Sequence, residues 1–147
     1  MTTVLCIDDD PRMLQLHKSI LGTKGYTVLT AADGMAGLAL TRTHSIDIVI
    51  TDFEMPPGIN GSQVAHRLKE EKPMLPVVIY SGCPDIPERL KCFVLPKGDG
   101  PERLLSMVEG LIELNCEKEN QLEYVRKKSR RLRHNKAREM NGGVHRR

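Results

Sequence analysis

Five short apolar runs interleaved with four stretches of helical spacing constrain this chain more than any other feature. The runs are "TVLCI" (3–7), "YTVLT" (26–30), "IDIVIT" (46–51), "PVVIY" (76–80) and "CFVL" (92–95), all rich in β-branched residues. Between and after them, apolar residues fall at helical intervals: Met13, Leu14, Leu16, Ile20 and Leu21; Met35, Leu38 and Ala39; Val64, Ala65 and Leu68; and Leu104, Leu105, Val108, Leu111 and Ile112. Strands alternating with helices imply a parallel sheet joined by right-handed crossovers and covered on both faces, an α/β architecture. The third and fourth runs are nearly continuous hydrophobics, as strands buried on both faces are.

Local punctuation agrees with this division. Asp10-Pro11 reads as an N-cap followed by proline at the first helical position, and Gly22 and Gly25 close the helix that begins there. Asp33 is placed to cap the second helix, and Asn60-Gly61-Ser62 starts the third. Asp10 therefore has a structural role, which leaves the two preceding acids, Asp8 and Asp9, to be accounted for.

In an open α/β sheet, ligands bind beyond the carboxyl ends of the strands. At that rim the sequence places Asp8 and Asp9 after the first strand, Asp52 after the third, Ser81 after the fourth and Lys97 after the fifth. Adjacent carboxylates repel one another unless a cation or water meets them. Three of them offer hard oxygen donors suited to Mg²⁺. One carboxylate can act as nucleophile toward an activated phosphoryl group, while metal and lysine neutralise the transferring oxygens and a hydroxyl donates a hydrogen bond.

The segments "VLCIDDDP", "IVITDFEMP", "VVIYSG" and "VLPKG" resemble, in order and spacing, the signatures of the receiver domain of two-component response regulators, over residues 3–114. The resemblance implies a flavodoxin-like, doubly wound sheet of strand order 2-1-3-4-5. It implies Asp52 as phosphoacceptor, Asp8 and Asp9 as Mg²⁺ ligands directly or through water, and Glu54 as a ligand through its backbone carbonyl. Ser81 becomes the switch hydroxyl and Lys97 the phosphoryl contact. A sensor histidine kinase or phosphotransfer protein would supply the phosphoryl group, and an output protein would read the result.

Four departures from that pattern stand out. The loop after Met55-Pro56 is one residue longer than the family's, with Pro57 and Gly58 suited to a tight turn. Gly98 follows Lys97 where the family has a cis-linked proline, so the geometry of that peptide is open. The stretch from Ser81 to Lys97 is short and carries Pro84 and Pro87, which implies a fourth helix of one turn or none. In that same shortened region, the position in the fifth strand that holds a switching aromatic ring in the family holds Val94, with Phe93 beside it.

The fourth departure is the tail. Residues 1–114 carry 11 Lys and Arg against 15 Asp and Glu, a net of −4, whereas residues 115–147 carry 11 against 4, a net of +7. This places a receiver domain at 1–114 and a basic extension, helical or disordered, at 115–147. The extension has no Gly or Pro from Asn115 to Asn141 and is composed of good helix formers. Leu111, Val125 and Leu132 share a heptad position, with Leu122 completing an apolar seam that Asn115, Lys118 and Ser129 interrupt, so a homodimer is one option.

Two rival functions follow from other features. The basic tail suits nucleic acid or another polyanion, contacted through phosphates without sequence preference. An Asp-based phosphatase or phosphotransferase fits less well, because Glu54 rather than a second aspartate stands two residues after Asp52. The four cysteines, Cys6, Cys83, Cys92 and Cys116, form no C-x-x-C pair and suit a reducing compartment. Without a basic leader before the first strand or an apolar run of about 20 residues, the expectation is a cytoplasmic protein with no membrane contact.

Overall fold

In the computed structural model, which describes residues 1–82 and 93–142, five strands form one parallel sheet. The strands are β1 (Thr3–Ile7), β2 (Thr27–Ala31), β3 (Ile48–Asp52), β4 (Val77–Ser81) and β5 (Phe93–Pro96), in the order β2-β1-β3-β4-β5. The helices are α1 (Pro11–Gly22), α2 (Gly34–Thr43), α3 (Gly61–Glu71) and α4 (Pro101–Gly142), with a 3₁₀ turn at Lys97–Asp99. This is the flavodoxin-like arrangement. The expectation of a shortened fourth helix falls on residues 83–92, which lie outside the described residues.

The sheet is buried on both faces because each strand alternates its side chains between two cores. Leu5, Ile7, Val49, Val77 and Ile79 pack with Leu38, Val64, Ala65 and Leu68 of α2 and α3. Val4, Cys6, Ile48, Ile50, Val78, Tyr80 and Leu95 pack with Leu21 of α1 and with Leu104 and Val108 of α4. β3 and β4 are buried at every position, which their continuous hydrophobic runs required. Compact units form over Met1–Ile112 and Glu113–Arg147, and within the second, helix continues to Gly142.

The capping residues act as their sequence positions dictate. Asp10 accepts a hydrogen bond from the Arg12 N–H at 2.9 Å, and Asp33 accepts one from Ala36 at 2.7 Å. Asn60 and Gln63 form a reciprocal capping box at the start of α3. Gly25, three residues beyond α1, takes a positive φ of 79°. Gly58 donates to the Met55 carbonyl at 3.2 Å and so closes the loop after β3, in which the Pro56-Pro57 peptide is cis.

Two helical faces differ from the sequence expectation. Helical spacing puts Leu16 and Met35 in core stripes, yet they are 48% and 52% exposed. In α1 the inward stripe carries Met13, Leu14, His17 and Leu21, so an imidazole occupies a place where periodicity over apolar residues alone selected Leu16. In α2 the buried positions are Gly34, Gly37, Leu38 and Thr41, and Ala39 is exposed.

Gly61 couples α3 to the end of β3. A side-chain carbon there would overlap the Asp52 carbonyl, which is backbone and has no rotamer through which to yield. The Gly61 N–H donates to the Phe53 carbonyl at 2.7 Å, fixing the same junction. Gly61→Ala is therefore expected to lower unfolding stability by about 2–3 kcal/mol. An unchanged urea midpoint and slope would show that the junction relaxes freely.

Candidate functional site

The carboxyl ends of β1, β3, β4 and β5 bring the rim residues together. Asp8 directly follows β1, and Asp52 and Ser81 are the last residues of β3 and β4. Lys97 opens the 3₁₀ turn after β5. Asp8, Asp9 and Asp52 each present an oxygen, and the three atoms lie within 4.8 Å of one another. Lys97 Nζ stands 3.0 Å from Asp52 Oδ1, which also accepts the Phe53 N–H at 2.9 Å.

Burial differs sharply among these groups. Asp8 is 2% exposed, Ser81 4% and Asp52 9%, whereas Asp9 and Glu54 face solvent. Asp8 Oδ1 accepts the Asp10 N–H at 2.9 Å, but Oδ2 is buried without a hydrogen-bond partner. Such an orphaned carboxylate oxygen is costly. Burial, reinforced by the charges of Asp52 and Asp9, raises the Asp8 pKa to about 6 despite the Asp10 N–H and Lys97. On Lys97 burial acts first and downward, but the hydrogen bond and charge of Asp52, then Asp8, outweigh it and hold the ammonium above its ordinary value. Cys6, beneath the site in β1, is pushed up to about 12 by burial and by Asp8 and is not a nucleophile.

These donors fit Mg²⁺. All are hard oxygens, one of them is buried and unpaired, and two neighbouring acids share the remaining charge. The peptide after Lys97, left open by the sequence, is not cis. The lysine reaches Asp52 from a 3₁₀ turn instead.

Two contacts around the site were not singled out from sequence. The Tyr80 hydroxyl, on β4 one residue before Ser81, donates to the Lys97 carbonyl at 3.3 Å, and Lys97 Nζ lies 5.9 Å from its ring centre. His17 meets the same ring edge to face, with centroids 5.1 Å apart, and its Nε2 is buried without a partner. Burial first, then Lys97, lowers the His17 pKa, so the imidazole is neutral at physiological pH. The sequence signal was a lone aromatic closing an aliphatic strand beside the rim. On β5, Phe93 and Val94 are 47% and 40% exposed.

A doubly wound parallel sheet with an acidic pocket and a lysine at its carboxyl rim defines a class of phosphoryl-handling signalling modules. The model of the response regulator receiver domain matches residues 4–102, and the chain belongs to that family. Members act in two-component signalling, are phosphorylated on aspartate and bind Mg²⁺ in an acidic pocket.

Among relatives, the chain is 30% identical over 114 residues to the probable transcriptional regulatory protein TcrX of Mycobacterium tuberculosis, covering 78% of this chain and 48% of TcrX. It is 44% identical over 66 residues to the virulence sensor protein BvgS of Bordetella pertussis, covering 45% of this chain and 5% of BvgS. The match thus spans about half of TcrX and far less of BvgS. Among solved structures, the response regulator TrrA of Thermotoga maritima, in complex with Mg²⁺-BeF, matches with a TM-score of 0.70 and 28% identity. That match covers 76% of this chain and 99% of TrrA. Among the described residues, no helix is long and apolar enough to cross a membrane.

Proposed function

We propose that this chain accepts a phosphoryl group on Asp52 and relays that state to a partner protein. The observation that carries the reading is the Asp52 carboxylate itself. It lies almost buried at the end of the central strand, within 4.8 Å of the Asp8 and Asp9 oxygens and 3.0 Å from the Lys97 ammonium. Oδ1 is engaged by Lys97 and the Phe53 N–H, which leaves Oδ2 to attack phosphorus. A new O–P bond forms as the bond from phosphorus to the donor's nitrogen or acyl oxygen breaks, and the leaving group departs with that electron pair. A carboxylate is already ionised, so no separate base is needed.

Asp8, Asp9, Asp52 and the Glu54 carbonyl would hold Mg²⁺, which supplies charge neutralisation on the phosphoryl oxygens. Lys97, already paired with Asp52, would neutralise a phosphoryl oxygen as well, and the Ser81 hydroxyl would follow a phosphoryl oxygen as the switch. With Val94 at the family's ring position, Tyr80 is the aromatic group coupled to Lys97. The donor is a histidine kinase or phosphotransfer protein. In this reading residues 1–114 are the phosphoacceptor and 115–147 an appended element.

The test is direct. Incubating the protein with a small acyl phosphate and Mg²⁺ should add one phosphoryl group by intact mass, and chelating the metal should prevent it. Catalytic turnover of an external phosphate ester would instead favour the phosphatase reading.

A further inference from the structure

The part of α4 beyond Ile112 has a physical problem that the phosphoacceptor reading leaves untouched. Residues 116–142 are exposed at every position. A helix that buries nothing is marginal in water, because most helical stability in proteins comes from packing one face. This one nevertheless carries a seam: Leu122, Val125 and Leu132 recur at 3- and 4-residue alternation with Asn115, Lys118 and Ser129. The three apolar members are 43%, 56% and 63% exposed.

The charge along the helix identifies what would cover that seam. Residues 113–123 hold four acids, Glu113, Glu117, Glu119 and Glu123, against Lys118, a net of −3. Residues 124–134 hold six basic residues, Arg126, Lys127, Lys128, Arg130, Arg131 and Arg133, and no acid, a net of +6. Two equal blocks of opposite sign meet between Glu123 and Tyr124. Side by side in parallel, two copies would set +6 against +6 and −3 against −3. Turned antiparallel about that junction, each acidic block lies along the partner's basic block, and this happens twice by symmetry.

We propose that α4 beyond Ile112 is a self-pairing surface and that its occupant is a second copy of the same helix, antiparallel and centred between Glu123 and Tyr124. In this register Leu122 of one copy packs on Val125 of the other, and Val125 on Leu122, so the two innermost layers are apolar. Leu132 falls level with Asn115, and Lys118 with Ser129. Glu119 and Arg126 flank the seam on the same side and attract across it. A polyanion would engage only the basic block and leave both the acidic block and the Leu122–Val125 layers unused, so the observations favour the second copy.

Sedimentation of the full chain at low salt is expected to show twice the 16.5 kDa chain mass. The dimer should weaken as salt screens the paired blocks. Leu122→Asp combined with Val125→Asp should sediment as a monomer. Orientation is read from a nitroxide at Ala137→Cys, with Cys83, Cys92 and Cys116 replaced by serine. The proposed register separates the two labels by 27 residues along the axis, about 40 Å at 1.5 Å per residue. The Asp52→Asn variant should dimerise equally, which separates this inference from the phosphoacceptor reading. A monomeric wild type, a dimer indifferent to the double aspartate variant, or labels within about 20 Å would each overturn it. So would a monomer that binds random duplex DNA with steep salt dependence, which would assign the basic block to polyanions instead.

Discussion

Asp52→Asn is expected to abolish covalent labelling by an acyl phosphate while leaving the fold intact. The amide keeps an oxygen for the Phe53 N–H, which Asp52 Oδ1 now accepts at 2.9 Å, so the end of β3 holds its geometry. What disappears is the nucleophile and the charge that holds Lys97 at 3.0 Å. A neutral amide oxygen is too weak a nucleophile for phosphoryl transfer, and the loss should be complete rather than partial. Intact mass after incubation, with far-UV circular dichroism as the folding control, reads both outcomes. Undiminished labelling of the variant would move the acceptor to another carboxylate at the rim, such as the exposed Asp9.

Asp8→Asn should have opposite effects on stability with and without Mg²⁺. Asp8 is 2% exposed, and one of its oxygens is buried without a partner. Its pKa rises from 3.8 to about 6, chiefly through burial. A group whose folded pKa is raised contributes stability below its unfolded pKa and loses it as pH rises through the folded value. At pH 7.5 and without metal, the ionised Asp8 therefore costs stability, and Asn should recover about 1–3 kcal/mol. The advantage should shrink as pH falls from about 6 toward 4, where the folded wild-type carboxyl is protonated and its unfolded counterpart, with a pKa of 3.8, is partly so. With Mg²⁺ the order should reverse, because a ligand bound only to the native state stabilises it in proportion to RT ln(1 + [L]/Kd). Urea unfolding at the two pH values, each with chelator and with Mg²⁺, tests this. A variant less stable than wild type without metal at pH 7.5 would show that the Asp8 charge is compensated in the folded state and overturn this account.

The rim was legible in the sequence for a topological reason. Acidic residues at strand ends break a hydrophobic pattern at a place where topology gathers ligands, so Asp8, Asp9 and Asp52 stood out against their surroundings. Tyr80 and His17 did not, because an aromatic at the end of a buried strand and a histidine in a helix each have ordinary structural uses. Their contact exists only once α1 packs on the sheet, which places the imidazole 5.1 Å from the phenol ring. Leu16 and His17 exchanged expected roles for a related reason. Periodicity counts apolar residues, whereas the tertiary structure selects the helical stripe that faces the sheet, and that stripe runs through Met13, Leu14, His17 and Leu21.

Local chemistry determined the strands, the caps at Asp10, Asp33 and Asn60, and the gathering of acids at the carboxyl rim, because each depends on neighbours within a few residues or on the general geometry of parallel sheets. The trans peptide after Lys97, the coupling of Tyr80 to the lysine carbonyl and the burial that lifts Asp8 to about 6 were decided by the tertiary structure alone. Each arises between segments far apart in sequence, where desolvation and contact depend on which side chains the fold brings together. No local pattern encodes that.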